Sequence, residues 1–256
     1  MIGAIAGDVI GSVHEAAATK TKQFLLWTPE SSFTDDTVLT AAVAEILMTG
    51  GDYKRMFQRY FRAYPDAGYG QQFKSWCELR STEPYNSWGN GSAMRVSPVG
   101  WAFDRLDDTL SEAERSARVT HDHPEGIRGA RAVAAAVFLA RNQTDKREIA
   151  EYIEAEFSYR LGRPLKSVRR TFLFDVSCEG TVPWALRAFL EADGYEDAVR
   201  NAISLGGDAD TLACIAGAVA GAYYGVPADI VSEVLSRLDD RLRGVVSRFE
   251  ERFGSG

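Results

Sequence analysis

The chain has 256 residues, 45% of them apolar, which suits one domain with a sizeable core. Its net charge is −7 and no stretch concentrates Lys and Arg on one face, which argues against a nucleic-acid groove while leaving small phosphate ligands open. Three well-separated cysteines (Cys77, Cys178, Cys214) and three histidines show no zinc spacing and point to free thiols in a reducing cytoplasm.

Strand signals are almost absent, and the periodic segments read as helix. Met1–Val13 is apolar, but it lacks a basic leader and Asp8 interrupts it, so no signal peptide is expected. Ile2–Val13 reads as a helix with Gly3, Gly7 and Gly11 four apart on one face, a stripe that lets another backbone approach. His14-Glu15 and a polar loop to Pro29 follow. Thr34 reads as the N-cap of a helix to Leu47, with Asp35 and Asp36 in its first turn. Asp52 opens an amphipathic helix through Tyr64, and Gln71–Leu79 is the next. Ser81–Gly91 is rich in turn residues, and Ser92–Phe103 is helical with a break at Pro98.

Ser111 and Glu114 form a capping-box pattern for a helix to Thr120. His121-Asp122-His123-Pro124 punctuates the chain before an alanine-rich helix to Arg141. Asp145–Tyr159 is amphipathic, and 160–180 reads as loop with one turn of helix. Thr181–Ala192, Tyr195–Leu205, Thr211–Tyr224 and Ala228–Phe253 complete the helices, the last broken near Leu238 or Gly244. The run after Thr211 is apolar and small all round, so it is a buried helix too short to span a bilayer. Gly217, Gly221 and Gly225 repeat the first glycine stripe, so these two helices are expected to pack together at the centre. The expected fold is a compact, all-α, orthogonal multi-helix bundle forming a single domain over 1–253, with a flexible tail at 254–256.

Two stretches carry the chemistry. Phe33-Thr34-Asp35-Asp36-Thr37 and Gly206-Gly207-Asp208-Ala209-Asp210-Thr211 each set two carboxylates and a threonine hydroxyl at a helix start. Acidic first turns also simply favour the helix dipole, a reading that fits the second stretch less well because its helix is so apolar. Read as halves of one site, they supply four carboxylates and two hydroxyls. These are hard oxygen ligands that suit Mg²⁺ or Mn²⁺, and two ions rather than one balance the charge. Asp8, mid-helix among apolar residues, needs hydrogen bonds beside that site. Glu15 is a candidate acid or base, or else a solvated helix-end glutamate. Gly89-Asn90-Gly91-Ser92-Ala93-Met94-Arg95 is a glycine loop entering a helix, either an anion cradle with Arg95 adding charge or a plain turn. Gly68-Tyr69-Gly70 is a weaker version. His121 and His123 are each a ligand contact or an ordinary capping histidine. Trp27, Tyr69, Tyr85, Trp88 and Trp101 lie in or near these loops, where some could stack on a base.

These motifs, with Gly7-Asp8, Gly11-Ser12-Val13-His14-Glu15 and Thr120-His121, occur in the order found in the ADP-ribosylglycohydrolase family, which the chain resembles from about Ile2 to Gly225. The resemblance implies a compact all-α fold and a centre of two Mg²⁺ ions, for which Mn²⁺ may substitute. It maps the ligands onto Thr34, Asp35, Asp36, Asp208, Asp210 and Thr211. It puts Glu15 at a catalytic or gating position, the Gly68–Gly70 and Gly89–Ser92 loops on the diphosphate of ADP-ribose, and His121 near the ligand. The expected function is hydrolysis of the bond between ADP-ribose and an acceptor (protein, small molecule or nucleobase), with Glu15, Asp36 and Asp208 as candidates for proton transfer. A metal-dependent nucleotide phosphohydrolase and a non-catalytic ADP-ribose reader or crystallin-like protein are the rival readings. The protein is expected in the cytoplasm as a monomer, with an ADP-ribose-containing substrate and no membrane partner.

Overall fold

A computed structural model describes residues 1–254, and among these the chain is helical throughout, with no sheet. The elements in order are α1 (Ile2–Gly11), α2 (Asp35–Thr49), α3 (Tyr53–Ala63), α4 (Gln71–Glu78), α5 (Gly91–Met94), α6 (Val99–Ala102) and α7 (Leu106–Arg118). They continue with α8 (Pro124–Arg141), α9 (Lys146–Phe157), α10 (Cys178–Leu190), α11 (Tyr195–Ile203), α12 (Ala209–Tyr224), α13 (Ala228–Arg237) and α14 (Asp240–Phe253). Of the expected tail, Ser255 and Gly256 lie outside the described residues, and Gly254 caps α14.

The fold is built around α12. Its first twelve residues are all buried, and it packs on α1, α8, α10 and α11, with α2 and α5 touching its N-terminal end. The α1–α12 pair is the most extensively packed in the protein. A Cβ added to Gly3 would stand 2.4 Å from the Gly217 carbonyl oxygen, one on Gly7 2.1 Å from that of Ala213, and one on Gly11 2.6 Å from Asp210 Cα. The two glycine stripes therefore meet as expected, with one change. A Cβ on Gly225 would meet nothing within 4 Å; Gly225 ends α12 at φ 77°, and Ala213 fills the place opposite Gly7. Backbone contact at this range needs small residues on both helices.

The element boundaries differ from the sequence reading in instructive places. α1 stops at Gly11, and Ser12–Ala18 runs on as consecutive turns. α7 starts at Leu106, before the Ser111/Glu114 pattern, and Ser111 Oγ donates to the Asp107 carbonyl inside the helix. Burial of Leu110, Ala113 and Ala117 against α8 extends the helix past the local capping signal. The Ser92–Phe103 stretch is two short helices, α5 and α6, on either side of Arg95–Pro98. α10 begins at Cys178 behind a Ser177 N-cap, whose hydroxyl accepts from the Gly180 N–H at 2.8 Å. The break at Leu238 and the single 3₁₀ turn at Leu165–Ser167 fall where the sequence placed them. Among the described residues no helix is long and apolar enough to cross a membrane.

Candidate active site

The N-termini of α2 and α12 point into one cavity of about 520 Å³, a size suited to a small-molecule ligand. α2 is set there by Thr34, whose hydroxyl accepts from the Asp36 N–H at 3.3 Å while the Asp35 N–H donates to the Ala67 carbonyl at 2.7 Å. Asp8 reaches across from α1. It accepts from Thr34 N–H at 3.0 Å, Thr34 Oγ1 at 2.7 Å, Thr37 N–H at 3.1 Å and the Thr37 hydroxyl. Four donors satisfy this wholly buried carboxylate, and it pins the α2 start to α1. α12 enters through Gly206 and Gly207, whose φ values of 60° and 120° turn the chain sharply out of α11. Side chains rarely adopt that region, so the turn that aims Asp208 and Asp210 needs glycine.

The two motifs converge. Thr211 Oγ1 donates to Asp36 Oδ1 at 3.4 Å, and the second oxygen of Asp36 is buried with no partner. Asp208 Oδ2 accepts from the Asn90 side-chain amide at 2.6 Å, and Asp210 Oδ1 accepts from the Thr211 N–H at 2.9 Å. Glu15, on the turns after α1, is exposed, yet it offers an oxygen within 4.8 Å of oxygens on both Asp208 and Asp210. Gly11, lying directly on Asp210, brings those turns to the site. No lysine or arginine pairs with any of these carboxylates among the described residues.

Burial without a cation makes their charge costly. Burial and the Asp210 charge push Asp8 up to about 7, against the pull of its hydrogen bonds. Burial and Asp208 push Asp210 up to about 8. Asp35 and Asp36 rise well above the carboxylate range through burial and then Asp210, and Glu15 rises for the same two reasons. Burial also raises Asp208, with the Asn90 bond working against it. Hard oxygen donors, an orphaned buried carboxylate oxygen and excess negative charge are what a divalent cation site presents.

The remaining residues singled out in the sequence divide. Gly68, Gly70, Gly89, Asn90, Gly91 and His121 line the cavity. Tyr69 does not: its ring is buried, stacked on Phe73 with centroids 5.2 Å apart. Ser92 also turns away, donating to the Gly126 carbonyl at 2.7 Å. Asn90 is engaged from within, since its amide holds Thr181 Oγ1 at 3.0 Å as well as Asp208. Arg95 also borders the cavity, but its side chain is fully buried, with its guanidinium over the Phe57 ring at 4.2 Å. His123 caps α8 by accepting from the Glu125 N–H at 3.1 Å. Trp27 and Trp101 are absent from the cavity lining; Trp88 and Tyr85 are in it. Sequence reading missed Phe174 and Val176, which join Trp88 as exposed apolar side chains lining the cavity. Their segment has no periodicity, and its antiparallel bridge, Ser177 to Gly89, ties it to the site.

Comparison with known proteins gives the class. A family model described as ADP-ribosylglycohydrolase matches residues 1–255, and the chain belongs to this family of glycohydrolase enzymes. Among its relatives it is similar to the ADP-ribosylhydrolase ARH3 of Mus musculus, 29% identical over 88% of this chain and 83% of the relative. The ARH3 of Homo sapiens is 28% identical, over 88% and 84%. The ADP-ribosyl-[dinitrogen reductase] glycohydrolase of Rhodospirillum rubrum is 29% identical over 67% of this chain and 58% of the relative. A solved structure titled ADP-ribosylglycohydrolase-related protein complex superposes with a TM-score of 0.68 at 26% identity, covering 98% of this chain and 96% of that one.

Proposed function

We propose that residues 1–253 form one domain that acts as a Mg²⁺- or Mn²⁺-dependent hydrolase with two metal ions, cleaving the glycosidic bond between ADP-ribose and an acceptor. The observation that carries this reading is the convergence of Thr34, Asp35 and Asp36 with Asp208, Asp210 and Thr211 around an unpaired, buried carboxylate oxygen. Those six residues would hold the ions, and two divalent charges balance the four aspartates where one leaves two charges over. When bound, the ions would supply Lewis-acid chemistry, lowering the pKa of a water and fixing sugar hydroxyls.

The protein groups do the rest. Glu15, beside Asp208 and Asp210 but reached by solvent, takes the proton of the attacking water or returns it to the leaving atom. Asp36 and Asp208 are the other carboxylates placed to receive that proton. Asn90 keeps Asp208 oriented, and Asp8 keeps the α2 start against α1. The glycine turns at Gly68–Gly70 and Gly89–Gly91 present a close backbone to the diphosphate, beside His121. Trp88 is 51% exposed and Phe174 57% exposed at the cavity, leaving π-faces for a base. Three buried, unpaired thiols fit a reducing cytoplasm.

The test is a panel of defined ADP-ribosylated substrates (arginine, serine, O-acetyl and nucleobase linkages), assayed with Mg²⁺, Mn²⁺ or chelator. Metal-dependent release of free ADP-ribose is expected from at least one. Release of phosphate instead identifies a phosphohydrolase, and calorimetric binding of ADP-ribose without release from any substrate identifies a reader.

A further inference from the structure

Arg95, Thr120 and His121 form a buried chain behind the Gly89–Gly91 loop. Arg95 Nη2 donates to the Ser116 carbonyl at 3.1 Å and to Thr120 Oγ1 at 2.8 Å. His121 Nδ1 lies 2.7 Å from the same Thr120 oxygen. A guanidinium has only donors, so the threonine oxygen accepts from Arg95 and has its own proton to place. Two groups face that proton: His121 Nδ1 and the Tyr85 phenol. A neutral imidazole nitrogen is far more basic than a phenol oxygen, and the phenol has a proton of its own to donate. The threonine proton therefore lies on the bond to Nδ1, and the ring's single proton is on Nε2.

The other side of the ring faces the ligand space. His121 lines the cavity, and Nε2 has no protein hydrogen-bond partner among the described residues. A Cβ on Gly91 would crowd Nε2 at 3.2 Å, and one on Gly89 would reach it at 3.7 Å. Glycine at both positions keeps the approach to that nitrogen open. We propose that Arg95 and Thr120 are positioning residues that hold His121 as a neutral donor, its Nε2–H offered to an anionic oxygen seated on the Gly89–Gly91 loop. This rests on the reading of that loop as the diphosphate subsite. Burial and the Arg95 charge oppose a second proton on the ring.

The experiment reads the tautomer directly. In protein labelled with ¹⁵N-histidine, His121 is assigned by its loss in His121→Asn. The wild type should show a protonated Nε2 and an unprotonated Nδ1 at neutral pH. Thr120→Val should give a mixed or reversed tautomer and weaken ADP-ribose about tenfold by calorimetry, the loss expected for one hydrogen bond to a charged group. It should raise KM with little change in kcat. Thr120→Ser should restore both the spectrum and the affinity. A wild-type ring protonated on Nδ1, or on both nitrogens, overturns the proposal, as does an unchanged spectrum in Thr120→Val. If Thr120→Val does not fold, the wild-type spectrum decides alone. If the wild type shows the expected tautomer yet binds no ADP-ribose, the diphosphate reading fails and the Arg95–Thr120–His121 chain stands.

Discussion

Gly11 couples helix packing to chemistry, and a single methyl there tests the link. In Gly11→Ala the new Cβ would stand 2.6 Å from Asp210 Cα and 2.8 Å from the Ala209 carbonyl oxygen, where ordinary contact begins at 3.4 Å. The atoms it meets are backbone and cannot rotate away, so α1 and the start of α12 must separate by about 0.8 Å. Overpacking of this kind costs about 1–3 kcal/mol, which in a chain of this size lowers Tm by roughly 2–4 °C per kcal/mol. The same displacement moves Glu15 from Asp208 and Asp210, and a misplacement of about 1 Å can cost about 10²-fold in rate. Gly162 has open space where a Cβ would go, so Gly162→Ala is the control. Melting curves and single-turnover release of ADP-ribose on both variants are the measurement. If Gly11→Ala keeps wild-type Tm and rate, the α1–α12 contact does not set the site's geometry.

Other expectations follow from the same structure. Mg²⁺ or Mn²⁺ should raise the Tm of chelator-treated protein, by about 2.7 kcal/mol of stability at a hundred times Kd, and Asp36→Asn or Asp208→Asn should blunt the rise in a thermal-shift titration. Glu15→Gln should lower kcat by about two to four orders of magnitude with ADP-ribose affinity and metal content unchanged. Loss of metal in that variant would make Glu15 a ligand instead. Asn90→Ala removes the donor to Asp208 and should cost about 1–3 kcal/mol and weaken metal binding, checked by urea unfolding and metal titration. His121 is held below its ordinary pKa by burial and Arg95. The unfolded chain therefore takes up a proton that the folded one refuses, so stability falls as pH drops below about 6.5. In His121→Asn the urea midpoint should change less than in wild type between about pH 7 and pH 5.

Local chemistry made much of this protein legible from its sequence. Thr34, Asp52 and Asp145 cap their helices because the side-chain acceptor and the N–H it serves are two residues apart. The glycine stripes announced a close helix pair, since only small residues on both faces permit backbone contact. The paired aspartates at Asp35-Asp36 and Asp208/Asp210 pointed to the candidate site, because charge beside so apolar a helix demands a partner, and all four line one cavity. What the sequence could not state is where side chains from distant segments point. Asp8 and Asn90 were each visible as polar residues, yet their bonds to Thr34, Thr37 and Asp208 span 26 to 118 positions of chain. Tyr69 and Ser92 neighbour glycines that line the cavity, and both side chains turn inward because Phe73 and the Gly126 carbonyl offer burial and a hydrogen bond there. Phe174 and Val176 are tied to the cavity by a bridge to Gly89 from far along the chain. A cap, a stripe or a charged turn is a property of neighbouring residues. A lining residue is a property of what the folded chain sets opposite it, and only packing decides that.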